Sequence, residues 1–239
     1  MATELQQKQL LSKLKQYKRK YLVKKYEDLD ESATRLMINS FLTEVLGYQE
    51  LEEIKTEYAI RGTYADYVIQ LGRKKHIVVE VKGIEIDLSE NHLRQALGYA
   101  ANEGIDWILL TNGRQFELYK VIFKKPIECK KVLSADLLGA DDIKKTLDFF
   151  WFITKKSITR GDLEKFWTQF QAMEPTNLAK YLYSVEIVRF LKRALKRDAK
   201  LLFPEEDIFD SIHKIIITKI ESCKPGYASV KRKFDAKHE

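Results

Sequence analysis

Two runs of sequence decide the fold: Ala-Asp-Tyr-Val-Ile at residues 65–69 and His-Ile-Val-Val-Glu-Val-Lys at residues 76–82. Both are rich in β-branched and aromatic residues, which is typical of strands. Charged groups are costly on a packed sheet unless they are paired or bind a metal, so Asp66, Glu80 and Lys82 are unusual there. Two carboxylates and a lysine on one sheet face suit metal-dependent cleavage of phosphodiesters, which makes a nuclease the first hypothesis.

Whether these three side chains meet depends on how the two strands pair. Glu80 and Lys82 are two residues apart and therefore share a face of the sheet. Asp66 joins that face only if paired residue numbers have an even sum, for instance if Asp66 lies opposite Lys82 across a three-residue turn. The alternative is a simple cross-strand ion pair between Asp66 and Lys82 on a solvent-facing sheet.

Further elements are predicted on both sides of these strands. A helix begins after Asp30 and ends at Gly47, with an apolar stripe at residues 36, 38, 41, 42, 45 and 46. Strands at 54–60, 64–71 and 76–82 form an antiparallel meander with turns at 61–63 and 72–75. A helix at 89–102 and a strand at 106–110 complete a right-handed parallel crossover, and a hairpin at Asn112-Gly113 leads into a strand at 116–123. The predicted fold class is α/β, a mixed sheet with flanking helices, followed by an α-helical region.

Glycines and prolines divide the chain. Seven of the ten glycines fall between residues 47 and 113, all four prolines come later, and no glycine lies between Gly161 and Gly226. Short elements need glycine turns, whereas long helices exclude them. We therefore predict a basic N-terminal helix at 1–26, a compact α/β core at 27–136, and an α-helical region with a loosely ordered basic tail at 137–239.

Composition limits the class of protein. The 239 residues carry a formal net charge of +7 and a pI near 9.1, which favours a polyanionic partner. Cys129 and Cys223 lie far apart and the four histidines show no zinc spacing, so neither a disulfide framework nor a structural zinc site is expected. The sequence shows no signal-peptide core and no apolar run long enough to span a bilayer. We expect a cytoplasmic protein without a membrane partner.

The order of helix, three antiparallel strands, helix and strand resembles the core of the PD-(D/E)xK nuclease superfamily. In particular, it resembles the N-terminal nuclease domain of type I restriction-enzyme R subunits. The matching residues are Glu31-Ser-Ala-Thr-Arg35, Leu46-Gly47-Tyr48, Ala65-Asp66-Tyr67, Glu80-Val81-Lys82, Gln95-Ala-Leu-Gly-Tyr99 and Leu110-Thr111-Asn112-Gly113. An Asp and a Glu-x-Lys alone occur by chance in many proteins, but their place in this topology makes the pattern specific.

The resemblance implies a magnesium site. Asp66 and Glu80 would hold one or two Mg²⁺ ions, with Mn²⁺ as an alternative, and the carbonyl of Val81 completes such a site in this family. The metal would polarise the scissile phosphate and lower the pKa of a bound water. Lys82 would orient that water and offset the charge of the transition state.

The family also has a helix glutamate, for which Glu31 and Glu44 compete. The first helix and the strand at 54–60 should run antiparallel, which puts the helix start beside Asp66. The helix spans roughly 24 Å, so Glu44 near its far end would lie well away from the metal. Glu31 is therefore predicted, although an acid at a helix N-terminus is also favoured by the macrodipole alone.

Two more candidates follow from the resemblance. Gln95 and Tyr99 are one helical turn apart and project from one helix face. In the family this motif lies near the active site, where either side chain would contact the phosphate or support Lys82; the alternative is an ordinary polar helix face. Arg61, in the turn before Asp66, is a candidate phosphate contact.

Basic side chains outside the core are the remaining candidates. A helix predicted at about 178–202 carries a cationic stripe that would follow a DNA backbone or would simply be solvated. The stripe comprises Arg189, Lys192, Arg193, Lys196 and Arg197. The basic N-terminal helix has the same two interpretations.

The sequence therefore predicts a Mg²⁺-dependent DNA endonuclease acting in restriction or in defence against foreign DNA. It contains no Gly-x-x-x-x-Gly-Lys-Ser/Thr loop, so it has no motor motif of its own. Besides DNA, the expected partners are a motor or specificity protein or a second copy of the chain. The alternative is a non-catalytic nucleic-acid-binding or protein-interaction subunit of a larger restriction or repair complex.

Overall fold

The computed structural model describes residues 2–60, 63–139 and 143–219. The helices are α1 (Glu4–Tyr21), α2 (Glu31–Ser40), α3 (Glu50–Glu53), α4 (Leu93–Glu103), α5 (Ile143–Phe152), α6 (Lys155–Arg160), α7 (Asp162–Ala172), α8 (Pro175–Leu182), α9 (Val185–Ala199) and α10 (Glu205–Lys219). The strands are β1 (Ile54–Ile60), β2 (Thr63–Leu71), β3 (Lys74–Val81), β4 (Trp107–Thr111), β5 (Gln115–Ile122) and β6 (Glu128–Asp136). These strands form one sheet in chain order. The predicted α/β class with a helical C-terminal region is confirmed.

The sheet is mixed because one connection is a crossover. Strands β1, β2 and β3 form an antiparallel meander, and β4, β5 and β6 form a second one. Strand β3 pairs with β4 in parallel, with α4 between them in the chain. The predicted parallel crossover is therefore present.

The β2–β3 hairpin is tighter than predicted. Its turn is the pair Gly72-Arg73, with Gly72 at φ 59°, instead of the four residues 72–75. Tyr67 pairs with Val79, and the register shifts after Ile69. Continuing the Tyr67–Val79 register places Asp66 across from Glu80, not across from Lys82. The parity that the hypothesis requires is nevertheless met.

Strand β6 was missed by the sequence prediction. It is the last strand of the sheet, and most of its side chains are at least partly exposed, with Val132 and Ala135 buried. An edge strand with one solvated face need not show an apolar run, so the charged sequence Glu-Cys-Lys-Lys gave no strand signal.

Helix α2 begins where the sequence predicts, because the side chain of Asp30 accepts a hydrogen bond from the Ala33 amide at 2.8 Å. It continues after Ser40 as a π-helical turn, Phe41–Val45. The predicted apolar stripe is wrong at Leu36, which is 74% exposed. Thr34 and Met37 are buried instead, one turn before the buried π turn.

Aromatic packing fastens α1 and α5 to this helix. The ring of Phe41 lies 4.7 Å from those of Tyr17 and Phe116 and 5.3 Å from that of Phe150. The Tyr17 hydroxyl also donates a hydrogen bond to the carbonyl of Gly113 at 2.9 Å. A second buried cluster lies between α4 and the sheet; it includes Val68, Val78, Tyr99, Ile108 and Leu110.

The chain divides into two compact units, Met1–Leu163 and Glu164–Glu239. The boundaries predicted at 26/27 and 136/137 differ from this division, because α1, α5 and α6 pack within the first unit. The missing signal was the tertiary contact of Tyr17 and Phe150 with the core, which local composition does not reveal.

In the second unit, the single helix predicted at 178–202 is two helices. The Ser184 hydroxyl accepts a hydrogen bond from the Ile187 amide at 3.3 Å and so begins α9 after a break. Tyr183, Val188 and Phe209 are among the residues of the buried cluster that α8, α9 and α10 share. Within the described parts of the chain, none of the helices is both long enough and apolar enough to cross a bilayer.

Candidate active site

Five charged side chains from three elements meet at one end of the β2–β3 pair. Glu31 and Arg35 come from the first turns of α2, Asp66 from β2, Glu80 from the end of β3, and Lys82 from the residue after β3. They form a continuous chain of ion pairs, which we call the charge cluster. The structure thus brings together four of the predicted site residues and adds Arg35.

Lys82 is the centre of one half of the charge cluster. Its ammonium lies 2.7 Å from Glu80 Oε1 and 3.2 Å from Glu31 Oε2, and the side chain is 18% exposed. Burial alone would lower the pKa of Lys82, but the hydrogen bond and charge of Glu80 and the charge of Glu31 raise it above its usual value. Lys82 is therefore a charged hydrogen-bond donor at neutral pH, and it is not a proton acceptor.

Arg35 is the centre of the other half. Its guanidinium lies 2.7 Å from Asp66 Oδ1 and 2.7 Å from Glu31 Oε1. The hydroxyl of Tyr67 donates to the Arg35 carbonyl at 2.7 Å and so joins the helix backbone to β2. Glu31 therefore receives both cations, one on each oxygen.

Asp66 is fixed on both of its oxygens, because Oδ2 accepts a hydrogen bond from the Val81 amide at 2.7 Å. This bond aligns Asp66 with the end of β3, next to Glu80. Burial raises the pKa of Asp66, although the Val81 amide and the charges of Arg35 and Lys82 oppose the shift. Burial likewise raises the pKa of Glu80 to about 7, and the neighbouring charge of Asp66 adds to it despite the Lys82 hydrogen bond.

Glu80 provides the test of whether a divalent cation fits. Its Oε2 atom is buried and has no hydrogen-bond partner among the described residues. A buried carboxylate oxygen without a partner is costly, and a hard cation such as Mg²⁺ would satisfy it. The donor set therefore fits a magnesium ion.

The carboxylates are not arranged as a larger metal cage. In the described ranges, no three or more His, Cys, Asp or Glu side chains group around a common metal position. A magnesium ion at the charge cluster would therefore rely on two carboxylates, Asp66 and Glu80, with the Val81 carbonyl and water as further ligands.

The other predicted helix residues make contacts outside the charge cluster. Gln95 donates a hydrogen bond to the Tyr64 carbonyl at 2.8 Å, and Tyr99 is fully buried between α4 and the sheet. The hydrogen bonds of Lys82 go to Glu31 and Glu80. A role of Gln95 or Tyr99 in contacting the phosphate or supporting Lys82 stays a prediction. Glu44, the rejected helix glutamate, pairs with Lys20 at 3.1 Å near the far end of the helix.

The predicted nucleic-acid contacts fall on a residue outside the described ranges and on a helix of the second unit. Arg61 lies outside the described residues. The cationic stripe is on α9 in the second unit, where Lys192 pairs with Glu205 at 3.3 Å and Arg197 with Asp198 at 2.8 Å. The three other members of the stripe, Arg189, Arg193 and Lys196, are exposed.

Arg35 is the member of the charge cluster that the sequence did not single out. It stands one helical turn after Glu31, a spacing that ordinarily means a solvated surface pair. The signal that it belongs to the site is its place in the Glu31–Arg35 motif, and the structure adds its contact with Asp66.

Comparison with known proteins gives one match. Residues 30–131 match the family model of the type I restriction enzyme R protein N terminus (HSDR_N). The matched range contains the whole charge cluster and strands β1 to β5. No curated protein and no solved structure matches the chain. The resemblance inferred from the sequence is confirmed: over residues 30–131 this chain is similar to the N-terminal region of type I restriction enzyme R proteins.

Proposed function

We propose that this protein is a Mg²⁺-dependent DNA endonuclease with a role in restriction of foreign DNA. One observation carries the proposal: Asp66, Glu80 and Lys82 meet at one end of the β2–β3 pair, with Glu31 bound to Lys82. Such a group of carboxylates and one partly buried ammonium suits hydrolysis of a phosphodiester. The family similarity supports DNA as the substrate and restriction as the setting.

In this proposal, Asp66 and Glu80 hold the magnesium ion together with the Val81 carbonyl. The bound ion supplies Lewis-acid polarisation of the scissile phosphate. Its positive charge also stabilises the ionised form of Glu80, whose pKa is otherwise raised to about 7.

The remaining members of the charge cluster act through hydrogen bonds. The Lys82 ammonium donates a hydrogen bond to the attacking water or to the phosphate oxygens, and its charge offsets the negative charge that grows in the transition state. Glu31 holds the Lys82 ammonium in place at 3.2 Å. Arg35 holds Asp66 and Glu31 in a fixed relation, because one terminal nitrogen of its guanidinium lies 2.7 Å from a carboxylate oxygen of each.

The proposal concerns cleavage alone. These 239 residues contain no phosphate-binding motor loop, so translocation along DNA is not among the activities that we propose for them. A motor or specificity subunit is therefore the partner that we propose beside DNA itself.

Incubation of supercoiled plasmid with the purified full-length chain in Mg²⁺, Mn²⁺ or EDTA tests the proposal. We expect nicking or linearisation with either metal, none in EDTA, and loss of cutting in Asp66→Ala and Lys82→Ala. Glu44→Ala, an exposed acid on the same helix, serves as the matched control and should cut as the unchanged protein does. Cutting in EDTA, or metal-dependent cutting that survives both substitutions, would show that the charge cluster is not the active site.

A further inference from the structure

A second concave site lies on the first unit, away from the charge cluster. It is an open groove of about 920 Å³ between α1 and the segment that leads into α6. Its floor is apolar and includes Leu10, Val45, Leu46 and Trp151, all buried. Its walls are amides, hydroxyls and cations. The wall residues are Gln6, Gln9, Ser12, Lys13, Gln16, Thr154, Lys155, Lys156, Thr159 and Arg160.

The charge of this groove has one sign. Four basic side chains line it, and none of its lining residues is acidic. Two of the four already have acidic partners, since Lys155 lies 2.8 Å from Glu53 and Arg160 lies 3.5 Å from Asp162. The other two, Lys13 and Lys156, are exposed and have no acidic partner among the described residues.

These walls match the chemistry of a nucleic-acid backbone. When exposed lysines bind phosphates, the release of counterions from the DNA favours binding. Glutamine, serine and threonine side chains form hydrogen bonds with phosphate and sugar oxygens. Three glutamines of α1 face the same groove as Lys13.

The groove and the charge cluster lie at opposite ends of α2 and its π turn. Glu31 begins α2, whereas Val45 ends the π turn and forms part of the groove. Fourteen residues of helix correspond to roughly 20 Å. In a B-form duplex, this distance corresponds to about six base pairs at 3.4 Å each.

From these observations we propose that the groove binds the phosphodiester backbone of the DNA substrate at a distance from the cleaved bond, with Lys13 and Lys156 as its phosphate contacts. The inference rests on the proposed function for the identity of the ligand as DNA. It adds a binding site that is separate from the charge cluster and independent of metal. The contact reads no sequence, because phosphates are the same at every position.

Fluorescence anisotropy of labelled DNA tests the groove without any cleavage. Binding of the full chain is measured in EDTA over a range of salt concentrations, for a duplex and for a single strand of equal length. The double variant Lys13→Ala/Lys156→Ala should bind both DNAs more weakly. Its slope of log affinity against log salt should be shallower by about 1.8 for the duplex and about 1.4 for the single strand.

The matched control is Lys74→Ala/Lys125→Ala, which removes the same charge from exposed sites outside the groove. Its salt slope should stay that of the unchanged protein, and circular dichroism should show both double variants folded. Equal slopes for the groove pair and the control pair would overturn the proposal and leave the groove a solvated surface. Because no divalent cation is present, a protein that fails to cut DNA still reports on the groove, so the two failures are distinguishable.

Discussion

At the residue scale, the charge cluster has one more carboxylate than it has cations. Three carboxylates, Glu31, Asp66 and Glu80, face two cations, Arg35 and Lys82. Both cations bond to Glu31, whereas Glu80 keeps one buried oxygen without a partner. The cluster therefore presents a local negative charge at Glu80, which suits a divalent cation and would be costly without one.

Stability should depend on pH through Glu80. Its pKa is raised from 4.5 to about 7 by burial, so the folded protein favours the protonated form. Without divalent cations, the preferential protonation of Glu80 in the folded state contributes about 3 kcal/mol to the free energy of unfolding. This contribution is fully present below pH 4.5 and is lost as the pH rises through about 7. Thermal unfolding at several pH values should show the decline in the unchanged protein and a flatter curve in Glu80→Gln.

Magnesium should reverse this decline. Because the ion binds the ionised carboxylate, the increase in melting temperature that Mg²⁺ causes should be larger at pH 8 than at pH 5.5. Glu80→Gln should lose most of the increase. An increase in melting temperature that is the same at both pH values would contradict the assignment of Glu80 as a ligand.

Arg35 should act by positioning Asp66. The substitution Arg35→Lys keeps the charge but removes the terminal guanidinium nitrogen that lies 2.7 Å from both Asp66 and Glu31, so we expect apparent Mg²⁺ affinity to fall by about 10- to 100-fold. The measurement is the Mg²⁺ concentration that gives half-maximal cleavage, with DNA affinity in EDTA unchanged. Arg73→Lys in the exposed hairpin turn is the control. An unchanged Mg²⁺ requirement would reduce Arg35 to a surface ion pair.

At the element scale, the sequence predicted the parts of the fold whose local signals agree with their tertiary surroundings. Strand β1 and the start of α2 have the predicted bounds, since turn residues and the Asp30 cap define them locally. The parity of the β2–β3 hairpin was an open condition, because a two-residue turn with a shifted register is not distinguishable from a three-residue turn by pattern. Strand β6 was missed because an edge strand tolerates charge.

In the candidate site, too, the sequence predicted the residues that have a local signal. Asp66, Glu80 and Lys82 stood out because charge at the end of an apolar strand is unusual. Glu31 followed from the direction of α2 relative to β1. The burial of Tyr99 was not predictable, because the polar hydroxyl of a helix tyrosine does not show that its ring is buried against the sheet.

The stability of the fold should be sensitive to substitution in the β4–β5 turn. Gly113 has φ 83°, and a Cβ there would overlap the terminal methyl of the buried Met37. Gly113→Ala should therefore cost about 1–2 kcal/mol for the backbone and a further roughly 1–3 kcal/mol for displaced packing. Gly72→Ala, also at positive φ but with open space around its Cβ, should show only the first cost.

Urea unfolding followed by circular dichroism compares the two alanine variants. A larger fall in the unfolding midpoint for Gly113→Ala than for Gly72→Ala would support close packing of α1 and α2 on this turn. Equal midpoints would mean that Met37 moves aside without cost.

At the scale of the whole molecule, the first unit includes the basic N-terminal helix. Leu10, Leu14 and Tyr17 of α1 are buried, and each such side chain contributes about 1.5–3 kcal/mol. Their sum is comparable with the total stability of an ordinary domain, about 5–15 kcal/mol. The helix is thus part of the core and also forms one wall of the groove.

Removal of residues 1–22 should therefore destabilise the first unit severely. We expect a chain that begins at Val23 to lose the cooperative thermal transition of the sheet-bearing unit, measured by circular dichroism. Leu5→Ala is the matched control, since that side chain of α1 is exposed and should leave the transition unchanged. A truncated chain with an unaltered transition would support the predicted boundary between a separate N-terminal helix and the core at residues 26/27.

The central claim is that the charge cluster hydrolyses phosphodiester bonds, and the rate of that step tests it most directly. The measurement is the single-turnover rate constant for cleavage of a labelled DNA at saturating protein and Mg²⁺. We predict that Lys82→Met lowers this constant by about 100-fold or more, with unchanged DNA affinity, whereas Lys74→Met leaves it unchanged. An unchanged rate constant in Lys82→Met would contradict the account.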